Sequence, residues 1–320
     1  MTQPSSSQRF WTKAVDRLAG VTISGGGLLM IGSLVLIFGL IFSEALPLFR
    51  TPSLTATRSL GASIAGPALA AGLNEYLDGA EAVLPEGVVR VLDLETKAIR
   101  KAVSIDGLEG RRVTAAARSL KDDYALGLSD GSVLAASARW QTSFDSGKRA
   151  VDFAFEPHGI FKLDPAGRPA TRVAVCQRSS GDFLLAASPE PGSLALGVGA
   201  DDGPRIVDLS GALKDDRISA LAFLDDGGLL CVGTEGGRII AFSLAEPDSP
   251  VRQESVALTS SDPAPVTALE ALIGGQSLIA GDAKGRIAGL HRIRESEGSE
   301  TRVLKAVRIF EPMSTAVTAL

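Results

Sequence analysis

Three stretches of this 320-residue chain repeat one another, and the repetition limits the possible folds more than any other feature. Each opens on a β-branched residue, a hydroxyl residue and alanine: Val113-Thr114-Ala115, Ile218-Ser219-Ala220 and Val266-Thr267-Ala268. Fourteen or fifteen residues later each carries two glycines four apart: Gly127 and Gly131, Gly233 and Gly237, Gly281 and Gly285. The runs flanking each pair alternate or are wholly apolar, as strands buried on one or both faces do. The residues between the glycines are mostly polar, so each pair reads as a tight hairpin turn in which glycine supplies positive φ.

The spacing of the openings sets the unit. Ile218 to Val266 is 48 residues, and Val266 to a further opening at Val317-Thr318-Ala319-Leu320 is 51. Val113 to Ile218 leaves room for two units, the second divergent, with strands at Arg172–Cys176 and Asp182–Ala187 and a turn at Gly199–Gly203. An earlier unit covers Ile64–Ile105 and turns at Glu86-Gly87. Fourth strands follow at Val251–Leu258 and Arg302–Phe310. Four-stranded units of about 48–52 residues predict an all-β chain of β-propeller-like blades. A stacked β-solenoid, with shorter units, is the alternative. The Trp-Asp marker of the best-known propeller repeat is absent. Abundant glycine (35) and sparse aromatics (5%) suit short strands joined by tight turns. Five blades are counted, and Val317 opens a sixth, so the 320 residues are expected to be the N-terminal part of a longer protein.

Ahead of the repeats, Val21–Phe42 runs 22 residues without a charge. That length of helix spans the roughly 30 Å hydrocarbon core of a bilayer. Gly25, Gly32 and Gly39 recur every seven residues and share one helix face, where another helix could approach closely. Ser43-Glu44-Ala45 resembles a signal cleavage site, but the apolar run exceeds a signal h-region of roughly 7–15 residues, which favours an uncleaved anchor. Arg9, Lys13 and Arg17 precede the helix, and the positive-inside rule puts them in the cytoplasm and the body outside. The expected organisation is a cytoplasmic tail (1–20), a transmembrane helix (21–45), a linker (46–60) and an extracytoplasmic propeller-like domain (61–320). Phe10, Trp11, Ala14, Val15 and Leu18 fit helical spacing within the tail.

Catalytic constellations are scarce. His158 lies in a Glu-Pro-His-Gly stretch that reads as a turn, and His291 at a strand end; both are expected at the surface. The acidic pairs Asp122-Asp123, Asp201-Asp202, Asp215-Asp216 and Asp225-Asp226 read as hairpin turns rather than calcium sites, because no twelve-residue calcium loop is present. No Gly-Lys-Ser/Thr follows the paired glycines, so they are not phosphate loops. A quinone-cofactor propeller dehydrogenase would carry more tryptophan than Trp11 and Trp140. The net charge of −5 and the lack of a basic run argue against nucleic acid. Cys176 and Cys231 could pair outside the cytoplasm, but their apolar settings favour two buried free thiols. No catalytic, cofactor-binding or metal-binding residue is assigned; no cofactor and no enzymatic activity are expected, and membrane lipid is an expected partner.

The basic tail with Val15-Asp16-Arg17, a membrane helix ending in Glu44-Ala45-Leu46-Pro47-Leu48-Phe49, and a long β insert together resemble one family. This is the large form of the phosphate ABC transporter permease subunit of Gram-negative bacteria. The resemblance covers Met1 to about Pro52 by sequence and the rest by layout. It implies an inner-membrane protein for phosphate uptake whose partners are another permease subunit, a cytoplasmic ATPase and a periplasmic phosphate-binding protein. The propeller would then be a periplasmic accessory or docking domain. A free-standing, membrane-anchored propeller scaffold of the cell envelope is the other reading.

Overall fold

The computed structural model describes residues 6–46, 66–145, 148–199, 204–253, 255–259, 261–294, 302–310 and 312–319. The chain divides between Ser59 and Leu60 into two units. Most of the expected linker lies outside the described residues, as does the pair Asp201-Asp202.

The first unit holds one helix, α1 (Ser6–Ala45), so the residues read as a separate tail continue the same helix as the apolar run. From Arg17 to Ala45 it is long and apolar enough to cross a membrane, as a span or a signal anchor. Leu29 and Met30 are exposed, as are the other large apolar side chains described there. The hydroxyls of Thr22, Ser33 and Ser43 donate to the carbonyls of Leu18, Met30 and Leu40, so the helix satisfies its own polar side chains, as a lipid environment requires. The small faces at Gly25, Gly32 and Gly39 are open.

The second unit is five antiparallel sheets in chain order. Blade 1 is β1 (Ala70–Leu73), β2 (Gly79–Val83), β3 (Val88–Asp93) and β4 (Ile99–Ser104). Blade 2 is β5 (Val113–Arg118), β6 (Asp123–Leu128), β7 (Val133–Asp145) and β8 (Lys148–Phe161). Blade 3 is β9 (Arg172–Gln177), β10 (Phe183–Ser188), β11 (Ala195–Val198) and β12 (Arg205–Asp208), followed by a single helical turn, α2 (Ser210–Leu213). Blade 4 is β13 (Ile218–Leu224), β14 (Leu229–Thr234) and β15 (Arg238–Ser243). Its fourth strand, expected as one piece at Val251–Leu258, is broken into β16 (Val251–Arg252) and β17 (Val256–Ala257), both paired with β15. Blade 5 is β18 (Val266–Ala271), β19 (Ser277–Asp282), β20 (Ile287–Arg294) and β21 (Arg302–Ile309).

Within each blade the strands pair in sequence order, and the first strands of successive blades lie side by side. Four apolar layers fill the spaces between neighbours: Val83, Val91 and Leu126 between blades 1 and 2, Val133 and Leu185 between 2 and 3, Leu196 and Phe242 between 3 and 4, Leu229 and Leu278 between 4 and 5. Blades 2, 3 and 4 are therefore each a wall of two cores.

The recurring opening has a specific geometry. In blades 2, 4 and 5 the register shifts at the hydroxyl residue, so Thr114, Ser219 and Thr267 are β-bulges. Thr114 donates to the Ala170 carbonyl at 2.9 Å, and Thr267 donates to the Val317 carbonyl. The Thr114 and Thr267 bulges thus turn their hydroxyls towards the stretch that follows the blade. Ser219 holds the same place, but its hydroxyl finds no partner among the described residues. Ala170 lies two residues ahead of the first strand of blade 3, which begins at Arg172 as expected.

The glycine pairs divide their work. Gly131, Gly237 and Gly285 have φ of 79°, 75° and 80° and make the turn. Gly127, Gly233 and Gly281 have ordinary φ, contrary to the expectation for both members. Their missing side chains make room for the next blade: a Cβ on Gly233 would lie 2.8 Å from a Val266 methyl, and one on Gly281 2.4 Å from a Val317 methyl. Val317 is buried against Gly281 but belongs to no strand. In blade 3, Gly199 stands after the third strand rather than between the second and third, so it is not the counterpart of these pairs.

Blade 2 departs most from expectation. Its third strand runs on for eight residues past Ser137, and β8 follows it back, making a long hairpin. The Glu-Pro-His-Gly stretch is not a turn. It is a bulge in β8, where Ala135 faces Gly159, Ala136 faces Pro157, and His158 is the extra residue. Proline is tolerated there because β8 is an edge strand.

Candidate interaction face

The turns after first strands and the turns after third strands emerge at the same end of each blade. At that end the blades are joined by side chains. Lys121, in the first turn of blade 2, donates to the Gln177 carbonyl of blade 3 at 2.8 Å and to Asp226 of blade 4 at 2.7 Å. Asp226 also accepts from the Ser179 amide at 2.8 Å. Its neighbour Asp225 pairs with Arg292 of blade 5 and accepts from Gln276 at 2.6 Å. Arg118 pairs with Asp122 in its own turn and donates to the Leu73 carbonyl of blade 1 at 3.3 Å. The chain of contacts runs through all five blades. Burial pushes the Asp226 carboxyl up, but Lys121 and the Ser179 amide outweigh it and hold the group at about 2. The bond to Asp226 raises Lys121 in turn, against the opposing effect of burial.

The acidic pairs therefore act through their side chains, which sequence reading as plain turns did not anticipate. Asp122, Asp225 and Asp226 do occupy positive φ. Asp215-Asp216 follows α2 instead of a hairpin, and Asp216 pairs with Arg252 at 3.0 Å. Among the described residues no group of His, Cys, Asp and Glu could hold a metal ion.

Glu81 is fully buried in β2 and accepts from Tyr124 at 2.8 Å and from the Trp140 indole at 3.0 Å, with Arg118 at 3.5 Å. Burial pushes the Tyr124 phenol far above its ordinary value, so it is a fixed donor. Glu270, on the first strand of blade 5, is raised to about 7 by burial, which the charge of Arg118 only partly opposes.

The long hairpin of blade 2 stands on this end and is tied to blade 1. Arg149 pairs with Asp78 at 2.8 Å and lies 4.0 Å over the Tyr76 ring. Lys101 holds Asp152 at 3.0 Å and the Phe153 carbonyl at 2.9 Å. Trp140 packs edge-on to Phe153 and against Gly79, where a Cβ would come within 2.7 Å of the indole. Between the hairpin and the first turns of blades 1 and 2 lies a polar cleft of about 190 Å³, lined by Tyr76, Trp140, Glu75, Asp122, Arg139 and Thr142 among others. A second, apolar groove of about 390 Å³ lies between β17 and the β20–β21 pair.

His158 is exposed, as expected, but not idle. It stacks on Phe183 at 4.9 Å and contacts the Ser137 hydroxyl at 2.7 Å. Ser137 donates to the buried Asp123 at 2.7 Å, so its proton points away from the imidazole and the hydroxyl is not activated for attack. His291 is exposed in mid-strand against Ser277 at 2.8 Å. Both cysteines are free. Cys176 packs on the layer between blades 3 and 4, Cys231 in the layer between blades 4 and 5, so the sheet of blade 4 separates them. Burial pushes them up to about 11 and about 12, leaving both as thiols at neutral pH.

Four-stranded meanders joined in series, first strand beside first strand, define a β-propeller. Solved structures agree. The chain is similar to the β-propeller domain of Myceliophteria thermophila Cps50 (Swd1), with a TM-score of 0.52 and 15% identity, over 81% of this chain and 74% of that one. At that identity the match shows the fold alone, and the fold is shared by many functions. No family model and no curated protein sequence matches the chain.

Proposed function

We propose that this chain is a membrane-anchored β-propeller that docks partner proteins and carries out no chemistry of its own. The observation behind this reading is the pairing of an exposed apolar helix of membrane-spanning length with a propeller that carries six exposed large apolar residues at the end of its first and third turns. Tyr76, Leu77, Leu120, Phe144, Leu272 and Ile273 all emerge there, a pattern that marks interaction surfaces. The assembly we assign it to is an inner-membrane ABC permease for phosphate. The resemblance of the tail and the Glu44–Phe49 flank supports this. In that assembly the N-terminus is cytoplasmic and the propeller periplasmic, where it docks the phosphate-binding protein. Another permease subunit and an ATPase complete the machine.

The test removes residues 66–319 while keeping α1, then measures phosphate uptake and cross-linking to the binding protein in membranes. Both should fall. Loss of envelope partners with uptake intact selects the scaffold reading instead. If neither uptake nor any partner contact changes, docking is wrong.

A further inference from the structure

We infer that the cleft between the blade 2 hairpin and the first turn of blade 1 receives a basic side chain, lysine or arginine, carried on an apolar segment of a partner protein. The inference rests on the docking reading and assigns it a place and a chemistry.

The cleft is built before any partner arrives. Its hairpin wall is fixed by four separate links to blade 1: Trp140 to Glu81, Arg149 to Asp78, Arg149 over Tyr76, and Lys101 to Asp152. A preorganised wall spares a ligand the cost of ordering it. At about 190 Å³ the cleft falls below the roughly 300–1,000 Å³ of sites for drug-sized molecules, and suits a single long side chain.

Charge decides which side chain. Arg139 is answered by Glu156 at 3.8 Å, and Asp122 by Arg118. Glu75 is exposed and has no partner among the described residues. The lining therefore has one unanswered charge, and it is negative. Trp140, and the part of Tyr76 that Arg149 leaves uncovered, add aromatic surface, which attracts cations and stacks on guanidinium. Around the cleft, Leu77 follows Tyr76 in the turn, Leu120 sits two residues before Asp122, and Phe144 stands two beyond Thr142. All three are exposed, at 67%, 45% and 74%. A charged centre with an apolar surround matches a basic residue flanked by apolar ones, and aromatic anchors are where binding energy concentrates.

The chain has two tryptophans, so Trp11→Phe leaves Trp140 as the sole indole reporter. The full chain in detergent micelles would be titrated with acetyl-Leu-Arg-Leu-amide and with the same peptide bearing neutral citrulline. The arginine peptide should shift Trp140 emission saturably. The citrulline peptide, and Glu75→Gln with the arginine peptide, should each bind about threefold more weakly, the loss of one partly screened ion pair. Glu86→Gln, at the opposite end of blade 1, should change nothing. Equal responses to the two peptides, or none to the arginine peptide, would overturn the assignment. Partner cross-linking separates this from the docking reading. If cross-linking needs the propeller but survives Glu75→Gln combined with Leu77→Ser, docking stands and the cleft is wrong. If it does not need the propeller, both fall.

Discussion

The two ends of the propeller hold the same blades together by different physics. At the end of the paired glycines, blades 2, 4 and 5 each make a close approach, a side chain of the stretch that follows the blade against a glycine, and in blades 2 and 5 a bulged threonine hydroxyl donates to a carbonyl of that same stretch. At the other end the junctions are charged side chains reaching across turns. The first kind has no slack, because a misplaced methyl meets packed atoms. The second adapts, because long side chains can find other partners or water. The difference teaches that repetition here is carried by sterics and individuality by charge.

The largest effect should follow from filling a glycine. Gly233→Val or Gly281→Val forces a side chain into Val266 or Val317 and should cost about 3 kcal/mol, read from the denaturant midpoint of the propeller. Pairing Gly233→Ala with Val266→Ala should recover part of the loss. No recovery would show that the contact is not the cause. Next comes Gly237→Ala, which places a side chain at φ 75° and a Cβ 2.7 Å from the Ala264 carbonyl oxygen. It should cost about 1–2 kcal/mol, less than the valine substitutions.

Glu270 sharpens the comparison at the charged end. Its folded value of about 7 lies above the ordinary 4.5, so the folded state binds the proton more tightly. Stability from this group is complete below 4.5 and is lost as pH rises through about 7. Glu270→Gln should therefore raise the melting temperature at pH 8 and leave it unchanged at pH 4, with a gain of about 1 kcal/mol after allowing for partial exposure. Equal effects at both pH values would remove burial of the charge as the explanation.

The smallest effect belongs to Lys121 and Asp226. Both are near half exposed, and Lys121→Met should cost under about 1 kcal/mol and be reduced by salt. Asp226 is held at about 2 against an ordinary 3.8. Its contribution is complete above 3.8 and is lost as pH falls towards 2, so Asp226→Asn should flatten that acid limb. A loss as large as that of Gly233→Val would break the contrast between the two ends.

The same contrast explains what could be read beforehand. The blade count, the strand order and the turn glycines were legible because sterics repeats at fixed intervals. The second role of Gly127, Gly233 and Gly281 was hidden, because a glycine needed for space looks the same as one needed for φ. The long hairpin was hidden too: among the described side chains of Arg139 to Phe144 only Trp140 packs on the layer between blades 1 and 2, which leaves no strand period to read. The cleft was illegible for a further reason. Glu75, Tyr76, Asp122 and Trp140 come from three separate turns and strands, each at its own offset, and the links among them depend on the fold already being made. His158 was misread because Pro157 and Gly159 signal a turn locally, while pairing with β7 overrides them.

The bulged opening also bears on how the domain comes to exist. Each Thr114-type link and each glycine seat joins a blade only to the one made next. Most long-range contacts therefore close over short sequence distances, which favours rapid folding. Such a domain can assemble as a zipper, one completed blade serving as template for the next while the rest of the chain is still being delivered. Lys121 reaching past blade 3 to Asp226 is a contact that must wait, a latch that fastens only after the fourth blade is in place.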